Sequence, residues 1–214
     1  MDEEITIINE KTRNEKIKSF FINNKKLLIS SIGSIVLIIF CFYFYQNYQD
    51  KHKKQLSDKF NSAIVDYNSG NKNNIVSSMR EIIENKNSTY SPLALYFLID
   101  NQLIDDQVEV NKLFDILLEK TPLEDEIRNL IIYKKALYNA DNVDENKLLD
   151  IIKPLINSES VWKSHALYLV AEYFYSKNEK QKSKEFFNQI IITENVNQDI
   201  LNEAKKRLSR DLSE

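Results

Sequence analysis

Tyr133-Lys134-Lys135-Ala136-Leu137-Tyr138 returns 35 residues later as Tyr168-Leu169-Val170-Ala171-Glu172-Tyr173, with tyrosine, alanine and tyrosine in the same three places. The register persists downstream, where Leu148, Ile152 and Leu155 fall on Ser183, Phe187 and Ile190. Steps of four and three residues are the period of a helix face, so each unit reads as two helices in succession. The alanine in the first helix lets the second approach closely. Units of this length cannot bury their apolar faces alone and must stack on their neighbours.

Outward from this pair, the rest of the chain supports an all-α fold. Two glycines and three prolines are too few for the hairpins and bulges of a sheet protein. Periodic segments predict helices near 125–139, 144–156, 160–177, 179–192 and 197–211, with Pro154 ending or kinking the second. Upstream, Thr121-Pro122-Leu123-Glu124 reads as a capping box, and the acids Glu124 to Glu126 suit a positive helix N-terminus. Asp105 or Asp106 is expected to cap a helix whose stripe is Val110, Leu113, Phe114, Leu117 and Leu118. Ser91-Pro92 reads as the start of a helix running to about Leu103. A further helix from about Asn74 to Asn85 carries Ile75, Met79, Ile82 and Ile83. Ala-Leu-Tyr occurs at 94, 136 and 166, and its unequal spacing leaves the repeat register of residues 70–120 open. A period near 34 with a small residue in the first helix marks tetratricopeptide-like pairs.

At the other end, residues 27–49 carry no charge. Their apolar heart, Leu27 to Tyr45, spans about 28 Å as a helix, close to the hydrocarbon thickness of a bilayer. It reads as a single uncleaved membrane anchor. A cleaved signal peptide is the rival, but bulky FYFYQNYQ follows the apolar run instead of a small-x-small site, and Phe40 precedes Cys41 where lipoprotein processing uses a small residue. Lys11, Arg13, Lys16, Lys18, Lys25 and Lys26 precede the anchor, whereas Lys51, Lys53, Lys54 and Lys59 follow it, which favours a cytoplasmic N-terminus. Phe40, Phe42, Tyr43, Phe44, Tyr45 and Tyr48 form an aromatic belt at the outer interface. Beyond it Leu56, Phe60, Ile64 and Tyr67 prolong one helical face until Gly70 stops it. The expected organisation is therefore a cytoplasmic segment 1–26, a transmembrane helix 27–48 and a helical domain 49–214.

Composition narrows the function. Residues 1–26 hold six basic and five acidic groups of the chain's 29 and 32, leaving 23 and 27 for the remainder. A mildly acidic domain without a basic patch is not a nucleic-acid binder. The single cysteine, Cys41, lies in the anchor, so no intrachain disulfide can form. His52 and His165 are far apart in sequence, and there is no phosphate-binding glycine loop, paired-cysteine zinc spacing or helical His pair. No catalytic residue, metal ligand, cofactor or small-molecule substrate is assigned.

Stacked helical pairs instead create a concave surface lined by the first helix of each pair. In this register Tyr133, Tyr168, Glu172 and Tyr175 are the candidates for a partner surface; alternatively the tyrosines fill gaps between helices.

Phe20-Phe21 and Asn23-Asn24-Lys25-Lys26 before the anchor, then Tyr67, Gly70, Thr89-Tyr90 and Leu93-Ala94, resemble the bacterial tetratricopeptide-like ancillary subunits of the SecYEG translocon. Ala171-Glu172 through Ser176-Lys177-Asn178-Glu179-Lys180-Gln181 resembles the same family's closing repeat. Asn178 replaces the usual turn glycine and Ser183 the usual alanine; Asn tolerates a left-handed backbone and Ser is small. The resemblance implies a single-pass protein of the bacterial inner membrane. Its periplasmic domain would bind the translocon and periplasmic chaperones, and its anchor the lipid bilayer. A membrane-anchored scaffold for another cell-envelope complex is the other reading.

Overall fold

A computed structural model describes residues 18–71 and 74–212 and contains no strand among them. The chain divides into two compact units, Met1–Gln55 and Leu56–Glu214. The helix α1, Lys25–Asn68, begins in the first and ends in the second.

Within the first unit, α1 is long and apolar enough to cross a membrane, and its apolar window is not buried. Its described aliphatic and aromatic side chains from Leu27 to Tyr48 are exposed. They touch each other only along the helix, as Phe40 and Phe44 do at 4.6 Å between ring centres. A helix that is apolar all round belongs in an apolar environment, either protein interior or lipid.

In the second unit, helices succeed one another in antiparallel pairs: α2 (Ile75–Glu84), α3 (Tyr90–Asp100), α4 (Gln107–Lys120), α5 (Asp125–Asn139), α6 (Glu145–Ile156), α7 (Lys163–Ser176), α8 (Lys180–Ile192) and α9 (Gln198–Arg210). Each packs on the next, and α5, α7 and α9 also pack on one another in turn. The last residues of α1 start the stack: Leu56 and Ala63 are buried, Phe60 meets Tyr90 and Phe97, and Tyr67 meets Phe97. Three apolar clusters follow one another along the chain. Met79, Leu95, Leu98, Phe114 and Ile131 lie in the first; Ala136, Leu148, Ile152, Leu155 and Phe174 in the second; Ala171, Phe187, Ile190 and Ala204 in the third.

The 35-residue register holds at the positions that define it. Ala136 and Ala171 are fully buried, as are Leu148, Ile152 and Leu155 and their counterparts Ser183, Phe187 and Ile190. Helix bounds fall within three residues of expectation from 125 onward. Pro154 sits in the last turn of α6, which ends two residues later. Asp106 caps α4 by accepting from the Val108 amide at 2.8 Å.

Three local readings are corrected. The capping box at Thr121 does not form: α5 begins after Glu124 with no side-chain cap, and the Thr121 hydroxyl turns back to donate to the Ile116 carbonyl. Satisfying the open carbonyls of α4 competes successfully with capping α5. The helix at Ser91-Pro92 starts one residue earlier, because the Asn87 carboxamide accepts from the amides of Thr89 and Tyr90. Ser91 is instead buried and donates to the Ile82 carbonyl, joining α2 to α3. That helix ends at Asp100 and not near Leu103, since Gln102 adopts a left-handed backbone and the Leu103 amide bonds back to the Leu98 carbonyl.

With only two glycines available, non-glycine residues take the left-handed positions. Asn74, Lys86, Gln102, Asn178 and Asn195 have φ between 51° and 62°, whereas Gly70 after α1 has φ +85°. Asn178 thus performs the turn between α7 and α8 expected of it.

Candidate functional site

The four sequence-derived surface residues are all half-buried, and the structure separates one from the other three. Tyr133, on α5, stacks on Trp162 with ring centres 6.0 Å apart and planes 19° apart. His165 completes the group, 5.9 Å from Tyr133 and 5.1 Å from Trp162. Burial lowers the His165 pKa. Burial also raises that of Tyr133. Near neutral pH both rings are therefore uncharged, and what the group offers is shape and apolar contact. Val161, immediately before Trp162, is exposed.

Tyr168, Glu172 and Tyr175 come together on α7, where α9 covers them. The Tyr168 ring meets Phe187 edge-on at 5.5 Å. Glu172 accepts from two guanidinium nitrogens of Arg207, with Nε at 2.6 Å. That guanidinium lies 4.3 Å above the Tyr175 ring and also donates to Asp211 at 2.5 Å. Burial and the neighbouring Glu172 push Tyr168 up to about 12. Hydrogen bonds from Arg210 and Arg207 hold the Asp211 carboxyl at about 2. A bidentate arginine under an aromatic face fixes α9 on α7.

Trp162, His165 and Arg207 complete these groups, and none was named as a surface candidate from sequence. For Arg207 a signal exists, since it stands 35 residues after Glu172 and thus continues the repeat. Trp162 carries no such periodic signal; it lies in the turn before α7, where the repeat pattern is silent.

Two further concavities flank the first helices. A hollow of about 370 Å³ between α3 and α5 is lined by Pro92, Leu93, Tyr96, Ile127 and Leu130, with Glu124 at its edge. The Lys134 ammonium lies over the Tyr96 ring at 4.9 Å. On the opposite side of α5, a groove of about 780 Å³ runs between α4 and α6. It contains Asp115 paired with Lys135 at 2.6 Å, together with Arg128, Lys147 and Asp150. The joint between α4 and α5 is fixed beside it by buried Asn139, which exchanges hydrogen bonds with Asn111 at 2.9 Å in both directions. Among the described residues no His, Cys, Asp and Glu side chains gather into a set that could hold a metal ion.

Such a surface can bind a polypeptide by shape, aromatic contact and polar edge groups. No curated protein and no solved structure matches the chain. A family model does match residues 18–110, from the helical approach to α1 through the first turn of α4; the 35-residue pair lies downstream of that match. Residues 18–110 are a tetratricopeptide repeat-like domain, of a helical-repeat kind that typically serves as a non-enzymatic scaffold for other proteins.

Proposed function

We propose that this protein is a membrane-anchored accessory subunit of the Sec translocon, which binds secreted proteins or periplasmic chaperones beside the translocation site. The observation that carries this reading is that one matched domain, residues 18–110, includes both the uncharged apolar stretch and the first repeat helices. Anchor and repeats are thereby parts of one design. The order of anchor, degenerate repeats and short last helix supports the translocon assignment by its resemblance to the ancillary subunits. The N-terminus lies in the cytoplasm and residues 49–214 in the periplasm, as the lysine excess before Leu27 favours. The protein works by binding and performs no chemistry.

Tyr133 and its aromatic neighbours are the part of the proposed surface left open to a partner. Tyr168, Glu172 and Tyr175 hold α9 and shape the surface from behind. Gentle detergent extraction of the full chain, followed by identification of co-purifying proteins, tests the assignment. Translocon subunits are the expected companions. Recovery of a different envelope complex replaces this assignment with the scaffold reading.

A further inference from the structure

Lys25 and Lys26 open α1, and Lys51, Lys53 and Lys54 follow its aromatic belt. All five side chains are exposed, and none forms an ion pair among the described residues. In the repeat unit Lys59, Lys135, Lys182 and Lys206 pair with carboxylates. Asp50 and Asp58 flank the second group, which stays net positive.

Their spacing along the helix is informative. From Lys26 to Lys51 the rise is about 38 Å at 1.5 Å per residue, and from Lys25 to Lys54 about 44 Å. A bilayer measures about 40–45 Å across when its headgroup layers are included. One unbroken helix thus sets a lysine group in each headgroup layer at once. The aromatic belt at Tyr43, Tyr45 and Tyr48 fixes the depth, because Lys51 comes less than one turn after Tyr48.

We propose that these two lysine groups bind the phosphate headgroups of anionic phospholipids in both leaflets, so that the protein collects an acidic lipid shell. This rests on the anchor reading above and adds to it the class of lipid. Positive charge in both headgroup layers is indifferent to which way the helix points. A lipid phosphate fits better than a free one because the lysines are spaced to the two headgroup layers and converge on no pocket. Each ammonium near an acidic lipid surface contributes a favourable electrostatic attraction that salt screens.

The test uses the full chain reconstituted in vesicles of phosphatidylcholine and phosphatidylglycerol, with trace spin-labelled lipid of either kind. Electron paramagnetic resonance reads the fraction of each lipid immobilised at the protein. The natural chain is expected to favour phosphatidylglycerol by about fivefold, the factor for one ammonium near an acidic surface. The K25Q/K26Q and K51Q/K53Q/K54Q variants each lose part of that preference, and the five replacements together abolish it. Near-molar sodium chloride also lowers it, while millimolar inorganic phosphate leaves it unchanged. Equal immobilisation of both lipids by the natural chain overturns the proposal, as does a preference that survives all five replacements or yields to millimolar phosphate. Failure of the protein to float with vesicles of any composition overturns the anchor reading itself, and is seen before any lipid is compared. Circular dichroism of each variant shows that its helix is intact.

Discussion

Tyr133 and Tyr168 occupy the same place in successive repeats, yet different chemistry surrounds them. Across from Tyr133 the next repeat supplies Trp162, in the turn before α7, and His165 on α7, so this contact is aromatic. Beside Tyr168 the next first helix is α9, whose Arg207 reaches Glu172 and Tyr175, so the joint between α7 and α9 is ionic. An internal repeat can use stacked rings because the next repeat covers part of each, leaving them half-buried. The far side of α9 is largely exposed, and its joint to α7 is made of groups that tolerate water. Ala204 is the only buried residue of α9.

The largest effect comes from removing the ring that supports Tyr168 from beneath. Phe187 is fully buried and lies at the register position of Ile152. Phe187→Ala should cost about 3–5 kcal/mol, measured by denaturant unfolding of the full chain in detergent. A loss below about 1 kcal/mol means that the third cluster does not hold the terminal pair together.

Ala171→Leu and Ala136→Leu test whether the two repeats are built alike. Each inserts three carbons at a fully buried contact, and each should cost about 1–3 kcal/mol. Equal costs support equivalence. An unchanged melting temperature for either breaks the register.

The ionic joint should respond to salt where the aromatic joint does not. Arg207→Gln should cost about 1–2 kcal/mol at low salt and less at high salt, whereas Trp162→Ala should give a salt-independent loss. The Asp211 carboxyl is held below its ordinary 3.8, at about 2. Its contribution is therefore present above pH 3.8 and lost as pH falls through about 2. Acid titration of Asp211→Asn should lack that component.

The smallest change should stabilise. Asn178 holds φ 62° between α7 and α8, so Asn178→Gly removes the left-handed strain at a gain of less than about 1 kcal/mol. A lower melting temperature indicates that the Asn side chain holds the turn.

These two joints also show where the sequence was readable. Helices and buried faces from 125 onward were legible because apolar spacing repeats every 35 residues and burial enforces it. The upstream caps were not, because Thr121, Asn87 and Ser91 each had competing backbone groups to satisfy, and only the packed neighbours decide between them. The candidate site was half legible. Sequence placed Tyr133, Tyr168, Glu172 and Tyr175 on first helices, but not that α9 closes over three of them. Arg207 is one period beyond Glu172, yet an arginine in an amphipathic last helix resembles any solvated charge.

Under the proposed function the repeat unit works by binding while the anchor holds it at the membrane. The most direct measurement compares co-purification of envelope partners by the full chain and by residues 47–214, at equal abundance and with helicity checked by circular dichroism. Tethering makes a weak contact effectively intramolecular, so removing residues 1–46 is predicted to lower partner recovery about tenfold or more while helicity of the repeat unit persists. Equal recovery by the anchorless chain would contradict the account and make the repeat unit a freely acting binding protein.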